Sequence, residues 1–118
     1  MGALQDIPYS HEAEERLLGA VLVRPDLFPQ IAAELGPDDF FITRHRYVWQ
    51  AISDLASQRG SWEFLTVAEK LQLQGRLADV GGQPFLIGLT TVADSSYAET
   101  YAGLIRAAAA RRRLEGEA

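Results

Sequence analysis

The sequence predicts an all-α fold, a compact bundle of about six helices. Apolar residues recur at three- and four-residue intervals in six stretches, and glycines or prolines lie between most of them. No segment alternates apolar and polar residues convincingly over four positions, although residues 64–67 and 86–92 leave strand and helix open. With 118 residues and an apolar fraction of 47%, the chain can bury a core of its own.

The helix predicted within residues 42–60 is the element around which the others are arranged. Its apolar side chains cover one broad arc at helical spacing, and so wide a face needs several partner helices. Thr43 is predicted to cap its N-terminus through the hydroxyl, with Ile42 and Tyr47 spaced as a hydrophobic staple. Gly60 is predicted to end it in a left-handed conformation.

Residues 1–9 are predicted to form an extended lead-in to a globular helical head that spans residues 10–93. Ser10 is the expected N-cap of the first helix, which should run from about residue 11 to residue 23. Glutamates in its first turns, beginning with Glu12, place negative charge where the helix dipole favours it.

Three shorter helices complete the predicted head, at about residues 26–35, 64–74 and 84–92. Pro29 fits the first of these only if it lies in the first turn, since a later proline would remove a helical hydrogen bond. Gly75 is expected to close the second.

Residues 94–118 are predicted to form the C-terminal helix, a candidate to project from the body. Either Asp94 or Ser96 is the expected cap, and Ser96 with Glu99 fits a capping box. The helix should continue through the alanine run to about Arg113.

Charge and composition exclude several classes of protein. The net charge of −5 makes nucleic acid an unexpected direct ligand of the main body, since proteins that bind through phosphate contacts are usually basic. The run Arg111-Arg112-Arg113 is predicted to be a solvated helix end that suits the dipole, with phosphate contact as the alternative. The chain lacks cysteine, and no apolar run approaches the ~20 residues of a membrane span.

The candidate catalytic and metal-ligating residues all have simpler explanations. His11 opens a segment similar to a helical metalloprotease motif, but Glu15 stands where that motif has its second histidine. His45 is predicted to be a hydrogen-bonded core or boundary residue. Asp38 and Asp39 are predicted to serve a turn. No GxxxxGK[ST] motif is present, so no P-loop ATP site is expected. Taken together, these interpretations predict no catalytic, cofactor or metal site in this chain.

Four blocks of sequence follow one another in a specific order and spacing. The blocks are Ile7-Pro8-Tyr9-Ser10-His11-Glu12-Ala13-Glu14 with Leu18-Gly19; Asp39-Phe40-Phe41 with His45-Arg46 and Ile52; Leu65-Thr66-Val67 with Leu71, Gly75-Arg76-Leu77, Val80-Gly81-Gly82 and Phe85-Leu86; and Tyr101-Ala102 with Ile105. Over about residues 7–106, they resemble the N-terminal domain of bacterial replicative DNA helicases, the DnaB family.

The resemblance implies a non-catalytic domain that forms one tier of a hexameric ring and helps to bind primase and, in some systems, a helicase loader. A separate C-terminal domain would bind ATP and Mg²⁺ and unwind duplex DNA. The resemblance also implies a cytoplasmic protein of the bacterial replisome, with little direct DNA binding by this domain and no membrane. Residues 94–118 would be the first helix of a hairpin that continues beyond Ala118 in a longer helicase.

Candidate interface residues lie on the C-terminal helix. The tyrosines at positions 97 and 101 are one turn apart, and they either anchor an interface or simply cover the core. The predicted interface set is Tyr97, Tyr101, Leu104, Ile105 and Arg106.

Two alternatives belong to other classes of protein. One is a small helical enzyme that uses His45, or the pair His11 and Glu15 with a metal. The other is a free-standing adaptor that borrows the helicase head and competes for its partners.

Overall fold

The computed structural model describes residues 10–58 and 61–115, and in these residues the fold is all-α, as predicted. The α-helices are α1 (His11–Val23), α2 (Phe28–Ala32), α3 (Thr43–Ser57), α4 (Phe64–Leu73), α5 (Leu77–Val80), α6 (Gly82–Val92) and α7 (Ala98–Leu114). Short 3₁₀ turns cover Pro25–Leu27, Pro37–Asp39 and Ser95–Tyr97. No helix in the described ranges is long and apolar enough to cross a bilayer.

Helix α1 lies at the centre of the bundle, between α6 and α7, and it also contacts α3. Its predicted cap is confirmed, since the Ser10 hydroxyl accepts from the Ala13 amide at 3.1 Å. Gly19 lets α6 approach closely: a Cβ at this position would lie 2.1 Å from the Leu89 carbonyl oxygen. The central position expected for α3 is therefore shared with α1.

Aromatic side chains from four separate segments meet at the inner face of α3. The ring centroid of Trp49 lies 5.0 Å from that of Phe28 and 5.2 Å from that of Phe40. Trp62 packs edge-on against Phe28 at 5.5 Å, and its indole nitrogen donates to the Val21 carbonyl at 3.2 Å. These contacts join α3 to α2 and to the loop before α3, and Trp62 ties the loop after α3 to α1 and α2.

The N-terminus of α3 is not capped as predicted. Thr43 is the first helical residue, and Ile42, at the cap position, makes no side-chain capping bond. The carboxylate of Glu14 on α1 instead accepts from the amides of Phe41 and Ile42, at 2.7 and 3.4 Å. A buried carboxylate from another helix thus satisfies backbone donors ahead of α3. The predicted C-cap, Gly60, lies outside the described residues.

The helix predicted at 26–35 is shorter than expected. It begins as a 3₁₀ turn and continues as the five-residue α2, with Pro29 in the first turn as predicted. The turn role of the following aspartates is confirmed, because the Asp39 carboxylate accepts from the Gly36 amide at 2.9 Å.

Two glycine positions separate the helices between residues 64 and 92. Gly75, at φ 73°, follows α4 where a stop was predicted. Gly81 adopts φ 110°, in the left-handed region that favours glycine, and separates α5 from α6. Helix α6 begins at residue 82, two residues earlier than predicted.

The start of α7 also differs from the prediction. The Ser96 hydroxyl donates to the Asp94 carboxylate at 3.0 Å, so it does not cap the helix. Tyr97 occupies the cap position without a side-chain capping bond, and the predicted capping box with Glu99 is absent. The preceding residues form a 3₁₀ turn instead, which moves the start of the helix to Ala98.

Helix α7 packs along α1 instead of projecting, at least as far as the structure describes it. Its buried positions include Ile105, Ala109 and Arg112. The predicted solvation of the arginine run is wrong for Arg112, which is only 6% exposed and donates to the Asp39 carbonyl at 3.0 Å. Arg113 pairs with the Asp39 carboxylate at 2.8 Å. These two arginines hold the end of α7 against the body.

Candidate functional site

The outer side of α7 and the turn before it carry an exposed apolar surface, which we call the Tyr97–Leu104 face and define as Tyr97, Tyr101 and Leu104. The three residues follow the i, i+4, i+7 spacing of one helix face. Tyr97 is 59% and Leu104 52% exposed, whereas Tyr101 is half-buried. The two tyrosine rings meet edge to face, with centroids 6.4 Å apart.

Tyr101 is fixed by contacts within the domain. Its hydroxyl donates to the Asp94 carboxylate at 3.1 Å, and Arg16 approaches the same carboxylate at 3.9 Å. Tyr101 also packs on the hydrophobic core. The freely presented members of the face are therefore Tyr97 and Leu104.

The five predicted interface residues do not form one surface. Ile105 is 1% exposed and belongs to the core, so it is not available to a partner in this fold. Arg106 lies on another side of α7, where it pairs with Glu34 from the turn after α2. The alanines around these positions give α7 little amphipathic contrast, which explains why the sequence did not separate its inner and outer faces.

A buried polar cluster joins α1 to α3. Glu14 and His45 are 1% and 0% exposed, and Nδ1 of His45 lies 2.7 Å from Oε1 of Glu14. The prediction that His45 is a hydrogen-bonded core residue is confirmed. With no exposed surface, His45 is poorly placed to act as a general base on a bound substrate.

The burial of Glu14 differs from the sequence prediction, in which this residue is one of the acidic residues of the first turns. Glu14 precedes Leu17, Leu18 and Val21 by three, four and seven residues, so it lies on their apolar face. A carboxylate in that position is the signal that could have identified it, because a buried carboxylate needs hydrogen-bond donors around it.

The cluster continues outwards to Glu15 and His11. Oε2 of Glu15 lies 2.8 Å from Nε2 of His11 and 3.4 Å from Nε2 of His45. Partial burial acts to raise the pKa of Glu15, but the hydrogen bond and charge of His11, followed by the effects of His45, outweigh it and hold the pKa below its usual value. Glu15 is therefore ionised near neutral pH.

Comparison with known proteins places this fold in a family. Residues 6–107 match the family model described as the DnaB-like helicase N terminal domain. The chain is 35% identical over 109 residues to the replicative DNA helicase DnaB of Rhodothermus marinus and 34% identical over 108 residues to that of Mycobacterium leprae. The matches cover 92% and 91% of this chain but only 12% and 18% of those relatives.

A solved structure gives the same result. The crystal structure of the N-terminal domain of DnaB helicase from Mycobacterium tuberculosis superposes with a TM-score of 0.90 at 31% sequence identity. The match covers 94% of this chain and 80% of that structure. The chain belongs to the family of DnaB-like helicase N-terminal domains.

Proposed function

We propose that this chain is the non-catalytic N-terminal domain of a replicative DNA helicase and serves ring assembly and the docking of primase and, where one is used, of a loader. The observation that carries the proposal is the family match over residues 6–107, together with a shared fold at a TM-score of 0.90. ATP and Mg²⁺ would be bound by a C-terminal domain outside this sequence, in the cytoplasm of a bacterial cell.

Two features of the sequence support a role in binding rather than catalysis. The sequence contains no GxxxxGK[ST] motif, so a P-loop nucleotide site is not encoded in these residues. Its net charge of −5 favours protein partners over the phosphate backbone of DNA.

The Tyr97–Leu104 face is the surface that we assign to assembly or primase docking. Aromatic side chains that are rigid, exposed and close to an apolar neighbour are typical anchors of protein interfaces. Tyr97 is an exposed aromatic residue, Leu104 is an exposed apolar residue on the same face, and Tyr101 between them packs on the core. Ile105, which is buried, is not part of this assignment.

Calorimetric titration of the chain with the primase of the same organism tests the docking role. The double substitution Tyr97→Ala with Leu104→Ala should weaken binding by about tenfold or more, because two interface anchors are lost. Leu73→Ala is the matched control, since Leu73 is an 85% exposed apolar residue on α4. Equal affinity of wild type and double variant, with unchanged circular dichroism, would remove primase docking from this face.

A further inference from the structure

Three metal-ligating side chains from two helices converge at one end of the buried polar cluster. One ligand atom each from His11, Glu15 and His45 lies within 4.8 Å of the other two. His11 and Glu15 are one turn apart on α1, and His45 comes from α3, which crosses α1 at this point. The sequence motif lacked a second histidine on the same helix, and the fold supplies one from another helix.

The imidazole of His45 is oriented as a metal ligand requires. Glu14 accepts from two backbone amides and faces Nδ1 of His45 at 2.7 Å, so Nδ1 is the donor of that pair. Nε2, the other ring nitrogen, faces Glu15. Metal-binding histidines almost always have such a carboxylate or carbonyl partner on the other ring nitrogen. Phe85 stacks on the same ring, with centroids 6.0 Å apart and planes 12° from parallel.

Nε2 of His45 and Oε2 of Glu15 lie 3.4 Å apart, and both atoms can serve as metal ligands. Ligand atoms around a tetrahedral Zn²⁺ are separated by about 3.4 Å when its bonds are about 2.05 Å long. The pair from α1 and α3 already has this separation.

His11 completes the donor set through a change of rotamer. Its Nε2 lies 2.8 Å from Glu15 Oε2 and within 4.8 Å of the ligand atom of His45, so the side chain must shift to bring all three ligand atoms to tetrahedral spacing. The His11 side chain is 50% exposed, which leaves its rotamer free to adjust. A surface cleft of about 290 Å³ is lined by His11, Glu15 and Val92 among others, so solvent reaches two of the three ligands.

We propose that His11, Glu15 and His45 bind a Zn²⁺ ion that ties α1 to α3, with Glu14 as the carboxylate that orients His45. Two imidazole nitrogens and one carboxylate suit Zn²⁺ better than Mg²⁺ or Ca²⁺, which prefer oxygen ligands. The ion would stabilise the domain and would not catalyse a reaction. The proposal therefore differs from the metal-dependent enzyme described as an alternative from the sequence. It does not depend on the proposed helicase role.

One nearby cation competes with the metal. Nη2 of Arg44 lies 3.6 Å from Oε2 of Glu15, and its guanidinium also stacks over Phe85 at 4.8 Å from the ring centroid. Metal binding transfers the Glu15 oxygen from Arg44 to Zn²⁺ and leaves the stacking contact in place. Arg44→Gln should therefore tighten Zn²⁺ binding.

The test is calorimetric titration of ZnCl₂ into the untagged chain after removal of metals with a chelator. Wild type should bind one Zn²⁺ per chain, and the melting temperature should rise by about 10 °C at free Zn²⁺ a hundredfold above Kd. Bound Co²⁺ used as a substitute should show the visible absorption of a tetrahedral site.

Two variants of surface-accessible ligands keep the test independent of folding. His11→Ala and Glu15→Gln should each weaken Zn²⁺ binding by about tenfold or more while the metal-free domain stays folded. Glu12→Gln is the matched control, because it removes a carboxylate of the same helix turn that pairs with Arg16. Absence of stoichiometric binding in wild type, or equal affinity in His11→Ala, would overturn the proposal.

Discussion

Glu14 is the residue on which the junction of α1 and α3 depends. It is 1% exposed and accepts from two backbone amides and from His45. Few carboxylates are so fully buried unless donors surround them, and here one side chain satisfies two backbone donors ahead of α3 as well as His45.

Replacing Glu14 with alanine should destabilise the domain by about 3 kcal/mol, because buried donors lose their acceptor. Urea unfolding followed by circular dichroism measures the difference. Glu12→Ala is the control on the same helix turn, where the side chain is 73% exposed, and it should change stability by no more than about 0.5 kcal/mol. Similar losses in both variants would show that the junction contributes little.

Gly19 shows how a single hydrogen atom in place of a side chain can fix the distance between two helices. A Cβ there would lie 2.1 Å from the Leu89 carbonyl oxygen and 2.9 Å from its carbon, so the backbones of α1 and α6 would have to separate. Gly19→Ala should cost about 3 kcal/mol through this overpacking.

Gly88 on α6 provides the opposite case. A Cβ at this position meets nothing within 4 Å, so Gly88→Ala should raise stability by about 0.5–1 kcal/mol through helix propensity. Thermal unfolding of Gly19→Ala and Gly88→Ala measures both effects, and a change of stability in the same direction would contradict the packing difference between the two positions.

At the scale of elements, the sequence predicted the helices well where apolar periodicity was strong. Helix α1 and the extent of α4 follow directly from that periodicity and from Ser10 and Gly75. The errors concern helix ends that tertiary contacts decide, such as the Glu14 carboxylate ahead of α3 and the 3₁₀ turn before α7. Glu14 and Phe41 are 27 residues apart in the sequence, so capping rules that consider only neighbouring residues could not predict their hydrogen bond.

The candidate sites were harder to predict than the helices. In the structure Ile105 lies in the core and Leu104 is exposed. The sequence does not distinguish these two positions, because the alanines around them fit either face of the helix. The convergence of His11 and His45 depends on how α1 and α3 cross, which no local spacing reveals.

The attachment of α7 to the body depends on its last turns. Arg112→Ala should lower stability by about 2 kcal/mol, since it removes a buried hydrogen bond to the Asp39 carbonyl and a stacking contact over Phe41. Arg113→Ala should cost less than about 1 kcal/mol because its pair with Asp39 is exposed on the arginine side. Chemical denaturation measures the free energy of unfolding of both variants. A larger loss of stability in Arg113→Ala than in Arg112→Ala would contradict the attachment of α7 through Arg112.

At the scale of the whole molecule, the domain has two regions that differ in chemistry and in proposed role. The Tyr97–Leu104 face is apolar and exposed, which suits a protein partner, whereas the His11–Glu15–His45 cluster is polar and closes the junction of α1 and α3. The curated relatives are several times longer than this chain, so the proposed assembly role concerns a larger protein.

The most direct test is the mass of the complete helicase by light scattering behind a sizing column. We expect the wild-type helicase and the Leu73→Ala variant to form the same closed ring. On dilution, the ring of the double variant Tyr97→Ala with Leu104→Ala should dissociate at a higher protein concentration than the wild-type ring. The double variant spares Tyr101, whose bond to Asp94 serves the fold. An unchanged ring mass across the dilution series, with the domain folded, would contradict an assembly role for this face.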